Sequence, residues 1–484
     1  MSDITLYLFR NDLRLRDNPA WAAAAKGQSV LPLYILDGET DWTPGSATRW
    51  WLHHSLAALA ADIKAAGGKL YLRRGNSEKV LASVLEKTTI SRIIFSRGYE
   101  PRQRQVEQTI YDRWHDHYDI KRYGSYLMYE PEQVLNGQGL PYKVFTPFWK
   151  ACLSRPDPTL PKSATAANAD FYKPRIESDN LEDWHLLPQR PDWAGGLRDN
   201  WQPGESGARQ QLKTFLKTAL DNYESGRDRP DYEGTSRLSP HLHFGEISPA
   251  HVWHEVKKSA DGDKQLHQQG MSYLRELGWR EFSNHLLYNW PELPRQPFRP
   301  EFTNFPWQAD NKALRAWQRG QTGYPIVDAG MRQLWHSGWM HNRVRMIVGS
   351  LLVKHLLIHW HHGEDWFWDT LVDADLANNS ASWQWVAGSG ADAAPYFRVF
   401  NPILQGKKFD PDGDYVKRWV PELKQLDKKH IHTPWEADAE TLAAAGIQLD
   451  KDYPRPIIDH AEGRKRALQA FESFNNSRKT GRTG

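Results

Sequence analysis

Two carboxylates, two adjacent amides and two tryptophans fall in one short run, Asp373-Ala-Asp-Leu-Ala-Asn-Asn-Ser-Ala-Ser-Trp-Gln-Trp385. An ordinary core prefers Leu, Ile and Val and admits Asp and Asn only when they are hydrogen-bonded. Carboxylates and amides beside large aromatic rings suit a flat, polar, redox-active ring held in a mostly dry pocket. The run leads into Gly388-Ser-Gly-Ala-Asp-Ala393, a loose G-x-G-x-x-A pattern. No strand precedes it and no βαβ unit surrounds it, so a turn that brings backbone close to a helix is the better reading.

Other constellations carry chemistry more weakly. Glu276, Trp279 and Arg280 share one helical face, as an acid, an aromatic plate and a cation. Such a set suits a flipped nucleobase, although an amphipathic helix with a Glu–Arg pair explains the same residues. Gly234-Thr-Ser-Arg-Leu-Ser239 offers hydroxyls and backbone N–H groups before a helix, as phosphate needs, and equally as an ordinary cap does. Asn342 and Met346 share a face with Arg345 beside them, which reads as a buried amide and a core methionine. His355, His359, His361 and His362 lack an evident third ligand for a metal, and a solvated helix end is expected there instead.

Together these motifs, with Thr322-Gly-Tyr-Pro-Ile-Val-Asp-Ala-Gly-Met331 and Gly338-Trp-Met-His-Asn-Arg-Val-Arg-Met346, give a chain that resembles the photolyase/cryptochrome family over nearly its whole length. The resemblance is nearest to bacterial cyclobutane pyrimidine dimer (CPD) photolyases of class I or class III type. It implies FAD as cofactor, with Tyr223, Thr235, Ser236, Arg237, Leu238, Ser239, Tyr273, Arg345, Asp373, Ala374, Asp375 and Asn379 binding it. Arg345 and Asp373 are expected to pair. The match puts the Asn379 amide at flavin N5, where plant-type cryptochromes carry Asp and animal types Cys. It implies that Glu276, Trp279, Asn342, Met346 and Trp385 form the lesion pocket, that Asn379 is catalytic through the flavin, and that Trp307, Trp360 and Trp383 carry electrons. Trp335, Trp366 and Trp368 stay unassigned.

The expected activity is light-driven repair of pyrimidine dimers in UV-damaged DNA. The lesion would set specificity, because an unpaired lesion flips more cheaply. Arg227, Arg280, Arg343, Gln405 and Lys408, with Glu276, Trp279 and Asn342, are the expected DNA contacts, the cations neutralising phosphates without reading sequence. A blue-light photoreceptor of cryptochrome type is the second reading and a (6-4) photolyase the third. A helical nucleic-acid-binding protein without catalysis is the alternative of a different class. An antenna chromophore is expected on the α/β domain, methenyltetrahydrofolate first and 8-hydroxy-5-deazaflavin second. Arg102-Gln103 depart from the Asn–Glu pair of the folate-binding bacterial class, while Arg49-Trp50-Trp51 resembles a related bacterial class and plant cryptochromes.

The elements that must position these residues fall into two kinds. Thr5 to Phe9, Val30 to Ile35, Leu70 to Leu72, Arg92 to Ser96 and Ile120 to Tyr123 read as strands, with helical patterns such as Trp50 to Ala65 between them. This alternation predicts a doubly wound, Rossmann-like α/β domain over 1–130. A connector is expected over 131–204, broken by Pro156, Pro158, Pro161 and Pro203. An all-α domain follows over 205–475. Its helices are expected on the face Ala208, Leu212, Phe215, Leu216, Ala219 and Tyr223, then over Met271 to Tyr288, Tyr324 to Trp335, Asn342 to Trp360 and Asp365 to Leu376. A frayed tail is expected over 476–484.

Composition excludes several classes. Two domains are natural for 484 residues, and a net charge of +3 permits a basic face without proving one. The single Cys152 excludes an internal disulfide framework, a Cys-based zinc site and an all-Cys iron–sulfur cluster. The start, Met1-Ser-Asp-Ile-Thr, lacks the regions of a signal peptide, and the apolar run from Met346 stops at Lys354. A cytoplasmic monomer without membrane contact or metal is expected. The 23 tryptophans are the outlier; indole stacks well and is oxidisable.

Overall fold

The computed structural model describes residues 4–26, 29–38, 42–161, 169–396 and 398–480. The chain divides into two compact units: residues 1–221, 236–291 and 372–375 form the first, and 222–235, 292–371 and 376–484 the second.

In the first unit, strands β1 (Ile4–Phe9), β2 (Ser29–Leu36), β3 (Tyr71–Arg74), β4 (Arg92–Ser96) and β5 (Asp119–Tyr123) form a parallel sheet in the order β3-β2-β1-β4-β5. Leu6 stands opposite Leu31 on one side and Ile93 on the other. Every residue of β1 is buried, as expected of a parallel sheet with both faces covered. The two-residue period sorts the side chains. Tyr7 and Phe9 enter one core with Trp21, Trp50 and Trp51, whereas Leu6 and Leu8 enter the other with Leu81 and Ile110. The helix Ser46–Ala65 supplies Trp50 and Trp51.

Between the sheet and the later helices the expected connector is not free of elements. It contains the helix Phe145–Leu153, and β6 (Asp170–Phe171) returns to pair with Ser29 and Val30 of β2. The helix Glu205–Thr218 stops before Ala219, and Tyr223 opens a separate short helix, Tyr223–Gly226. The six residues read as one face therefore belong to more than one element. The long helix Lys264–Asn289 starts where the Asp263 side chain accepts the Leu266 N–H.

In the second unit two expected helices break. Asn342–Ser350 widens into a π-turn at Leu351–His355 and ends, with Leu357 at φ 55°. Ile358 then bridges Gln308, and a new helix, Trp360–Thr370, begins under a cap from His359. That helix stops at Thr370 because Leu371 turns extended, so the Asp373–Asp375 stretch lies between helices rather than inside one. The next helix, Leu376–Ala387, ends where Gly388 takes φ 82° and the Ser389 and Gly390 N–H groups donate to the Gln384 carbonyl. The glycine pattern there is a helix terminus. The last helix, His460–Thr480, runs through residues expected to be frayed; 481–484 lie outside the described residues.

Candidate active site

In the first unit, the helix Lys264–Asn289 carries Tyr273, Glu276, Trp279 and Arg280. Tyr273 donates its hydroxyl to Ser236 Oγ at 3.1 Å, and its ring packs on Phe215 at 4.5 Å. Ser236 is held in turn by Gln211, whose side-chain N–H donates to its carbonyl at 2.9 Å. Arg237 takes φ 51° and lays its guanidinium 4.3 Å over Trp201, and the short helix Ser239–His243 follows. Leu238 is buried, so its backbone is the part that a ligand could use.

Glu276 and Trp279 are half-buried on the same helix. The Trp279 indole stacks face to face on Phe145, centroids 3.6 Å apart at 8°. Between them in sequence, Gly278 admits Trp149; an added Cβ would lie 2.6 Å from that ring. The side chain of Arg280 corrects an expectation. It is buried, donates to the Tyr126 carbonyl at 2.9 Å, lies 4.1 Å over the Tyr126 ring and pairs with Glu281 at 3.2 Å. A guanidinium so committed is no phosphate contact. Glu281 accepts the Met128 and Tyr129 N–H groups, and burial pushes its carboxyl up to about 7 against the pull of Arg280.

Asp373 and Asp375 are both buried carboxylates, 8 % and 5 % exposed. Asp375 accepts the Tyr126 hydroxyl at 2.7 Å and lies 3.4 Å from His243 Nδ1. Burial and the Asp375 charge push Glu100 up to about 7. These groups were not legible in sequence, since Tyr126, His243 and Glu100 belong to three separate segments.

In the second unit the helix Leu376–Ala387 places Asn379 and Trp383 one turn apart on one face. The Asn379 side-chain N–H donates to the Glu364 carbonyl at 3.0 Å, which leaves the amide oxygen as the acceptor available for other use. Ser380 donates to Glu364 Oε1 at 2.5 Å, while Oε2 is buried without a partner. Burial pushes Glu364 up to about 8, so it is a neutral acid at pH 7. Trp383 lies against Gly363, where a Cβ would meet its ring at 2.1 Å, and edge-on to Phe367 and Trp317. Trp385 points to a different face and is half-buried. Trp307 and Trp360 are joined through His359, at centroid distances of 5.2 and 5.6 Å.

Asn342 is exposed at the start of its helix, with Met346 one turn on. Arg343 pairs with Asp228 at 2.7 Å and lies 4.5 Å over the Phe409 ring; Lys408 lies 5.1 Å over the same ring. Gln405 sits on that helix, Pro402–Phe409. The structure thus gathers Arg343, Gln405 and Lys408, while Arg227 stands over Tyr223 at 5.4 Å. The histidine run is only partly a solvated helix end: His362 is exposed in the first turn of Trp360–Thr370, whereas His355 is fully buried and hydrogen-bonds His460 at 2.9 Å.

Residues 5–166 match the family model described as DNA photolyase, and 273–473 the one described as the FAD binding domain of DNA photolyase. The chain is 48 % identical over 478 residues to a deoxyribodipyrimidine photo-lyase of Agrobacterium fabrum, covering 97 % of this chain and 98 % of that one. It is 37 % identical over 490 residues to cryptochrome-2 of Arabidopsis thaliana, covering 97 % of this chain and 79 % of that protein. The crystal structure of a bacterial class III photolyase from Agrobacterium tumefaciens superposes with a TM-score of 0.94 at 47 % identity, covering 98 % of both chains. A parallel-sheet domain followed by a helical FAD-binding domain, matched along nearly its full length, makes this chain a member of the photolyase/cryptochrome family.

Proposed function

We propose that this chain is a class III photolyase that splits cyclobutane pyrimidine dimers in DNA under blue or near-UV light. The observation that carries the reading is the Asn379 amide, fixed by the Glu364 carbonyl one turn from the buried Trp383. An amide can donate and accept, so it suits a ring whose N5 changes protonation with redox state. Its relative from Agrobacterium fabrum is named for this activity.

The residues present fit FAD. The buried carboxylates Asp373 and Asp375 and the Tyr273–Ser236 hydroxyl pair in the first unit, and the buried Asn379 amide in the second, are polar groups of the kind that such a dinucleotide needs. We assign the dinucleotide to Tyr223, Thr235, Ser236, Arg237, Leu238, Ser239, Tyr273, Arg345, Asp373, Ala374, Asp375 and Asn379. When bound and reduced, FAD supplies an electron on photoexcitation. Glu276, Trp279, Asn342, Met346 and Trp385 receive the lesion, the acid and amide at polar edges and the indoles by stacking. Trp307, Trp360 and Trp383 pass electrons inward from the surface during photoreduction and take no part in repair. Arg227, Arg343, Gln405 and Lys408 hold the phosphates.

For the antenna we favour a folate. Arg102 and Gln103 lie on the helix Pro101–Trp114, where Arg102 is ion-paired to Asp37 at 3.1 Å and Gln103 accepts the Tyr99 N–H. The Arg49-Trp50-Trp51 run is the better candidate, because the Trp50 indole N–H is buried without a partner. Among the described residues no helix is long and apolar enough to cross a membrane. We place the protein in the cytoplasm as a monomer.

The test is repair of CPD-containing and (6-4)-containing oligonucleotides by reduced holoenzyme, in blue light and in darkness. The expected result is light-dependent restoration of the CPD substrate alone. Failure of reduced holoenzyme on CPD DNA, with flavin bound, would favour the photoreceptor reading that the cryptochrome-2 likeness supports.

A further inference from the structure

His359 belongs to no motif assigned above, yet its ring touches both outer tryptophans of the electron path. It meets Trp307 edge-on at 5.2 Å and stacks on Trp360 at 5.6 Å and 26°. Among the described residues the ring neighbours of Trp307 are Phe305 and His359. The backbone enforces this. The Gln308–Ile358 bridge, with Gln308 N–H donating to the Leu357 carbonyl at 2.8 Å, seats Trp307 beside the residue that opens the helix Trp360–Thr370. The imidazole is also oriented: its Nδ1 accepts the His361 N–H at 3.2 Å, which leaves the proton on Nε2.

We propose that His359 is a positioning residue for photoreduction, whose clamped imidazole carries the electronic coupling between Trp307 and Trp360. The inference rests on the assignment of Trp307, Trp360 and Trp383 to the electron path. Tunnelling falls off steeply across empty space and far less across packed atoms, so a ring in contact with both partners sets the rate of the hop. One electron leaves Trp307 and fills the hole on Trp360; no bond breaks, and His359 is neither oxidised nor protonated. The photoexcited isoalloxazine is the terminal oxidant, and an external thiol later restores Trp307. Charge on the bridge would repel the hole. Burial first, then the neighbouring His361 and His362, hold His359 down to about 4, so it is neutral at pH 7. Burial also lowers His361, opposed by Asp365 and reinforced by His362.

Two substitutions separate coupling from helix capping. His359→Asn removes the ring and keeps a strong cap; His359→Phe keeps a ring and removes the cap. The readout is laser-flash absorption of the long-lived tryptophan radical in the FAD-loaded full chain, with thermal unfolding alongside. We expect His359→Asn to cut the radical yield roughly tenfold and His359→Phe to hold it within about twofold. The reverse order, equal losses or no loss in either variant would overturn the proposal. Trp360→Phe is the control: wild-type photoreduction in that variant would sink the electron-path assignment itself, and the role of His359 with it.

Discussion

The Asn379 side chain donates to the backbone carbonyl of Glu364, and the Glu364 carboxyl in turn accepts from Ser380, the residue after Asn379. One acidic residue therefore holds two successive side chains of the neighbouring helix. Its carboxyl is neutral at pH 7, because burial pushes it from 4.5 up to about 8. The folded state binds that proton more tightly than the unfolded chain does. The resulting stability is present below about pH 4.5 and is lost as pH rises through about 8. Glu364→Gln keeps the acceptor and cannot ionise. Denaturant titrations at pH 6 and pH 9 should show a smaller loss for the variant, by about 1–3 kcal/mol. Equal pH slopes would mean that Glu364 is ionised in the fold.

Gly363→Ala tests the contact between two helices. A methyl group there would lie 2.1 Å from Trp383, so the indole or the helix must move. Overpacking of this kind costs about 1–3 kcal/mol. We expect a lower melting temperature and slower photoreduction together, measured by calorimetry and by flavin absorbance under continuous light.

Trp383→Phe should slow photoreduction by at least about tenfold while pre-reduced enzyme repairs CPD DNA at nearly the wild-type rate. Parallel loss of both activities would show that Trp383 serves repair directly.

Arg343 and Lys408 share the Phe409 ring, and Asp228 neutralises the first of them. Lys408→Ala should weaken binding to damaged DNA and lower the slope of log K against log salt by about 1. Asp228→Asn should do the opposite, strengthening binding as it frees a guanidinium. Filter binding at several salt concentrations decides both.

Arg280→Ala should act on folding. Its loss leaves Glu281 buried without its cation, a change that typically costs about 3–5 kcal/mol. The denaturation midpoint should fall, whereas the salt slope of DNA binding should stay unchanged. A reduced salt slope in a stable variant would return Arg280 to the phosphate contacts.

The sequence by itself determined the class of fold and the family. Strand signals fell within a residue or two of β1 to β5; in β1, β2 and β4 they are the apolar runs that a parallel sheet buried on both faces demands. The run Asp373 to Trp385 announced a polar ring site because carboxylates, amides and indoles rarely share a stretch without hydrogen-bonded partners. Which way each side chain points was a different matter. Arg280 looks like a surface cation on a helix wheel, and only the approach of Tyr126 and Glu281 turned it inward. A continuous periodicity hid the break at Leu351–His355, since a π-turn keeps apolar residues buried while it shifts their phase. Glu364 carried no signal at all, and His359 stood out only as part of a histidine run. Their roles arise from residues distant in sequence, Asn379 and Ser380 for one and Trp307 for the other, and contacts between distant segments are decided by packing rather than by local pattern.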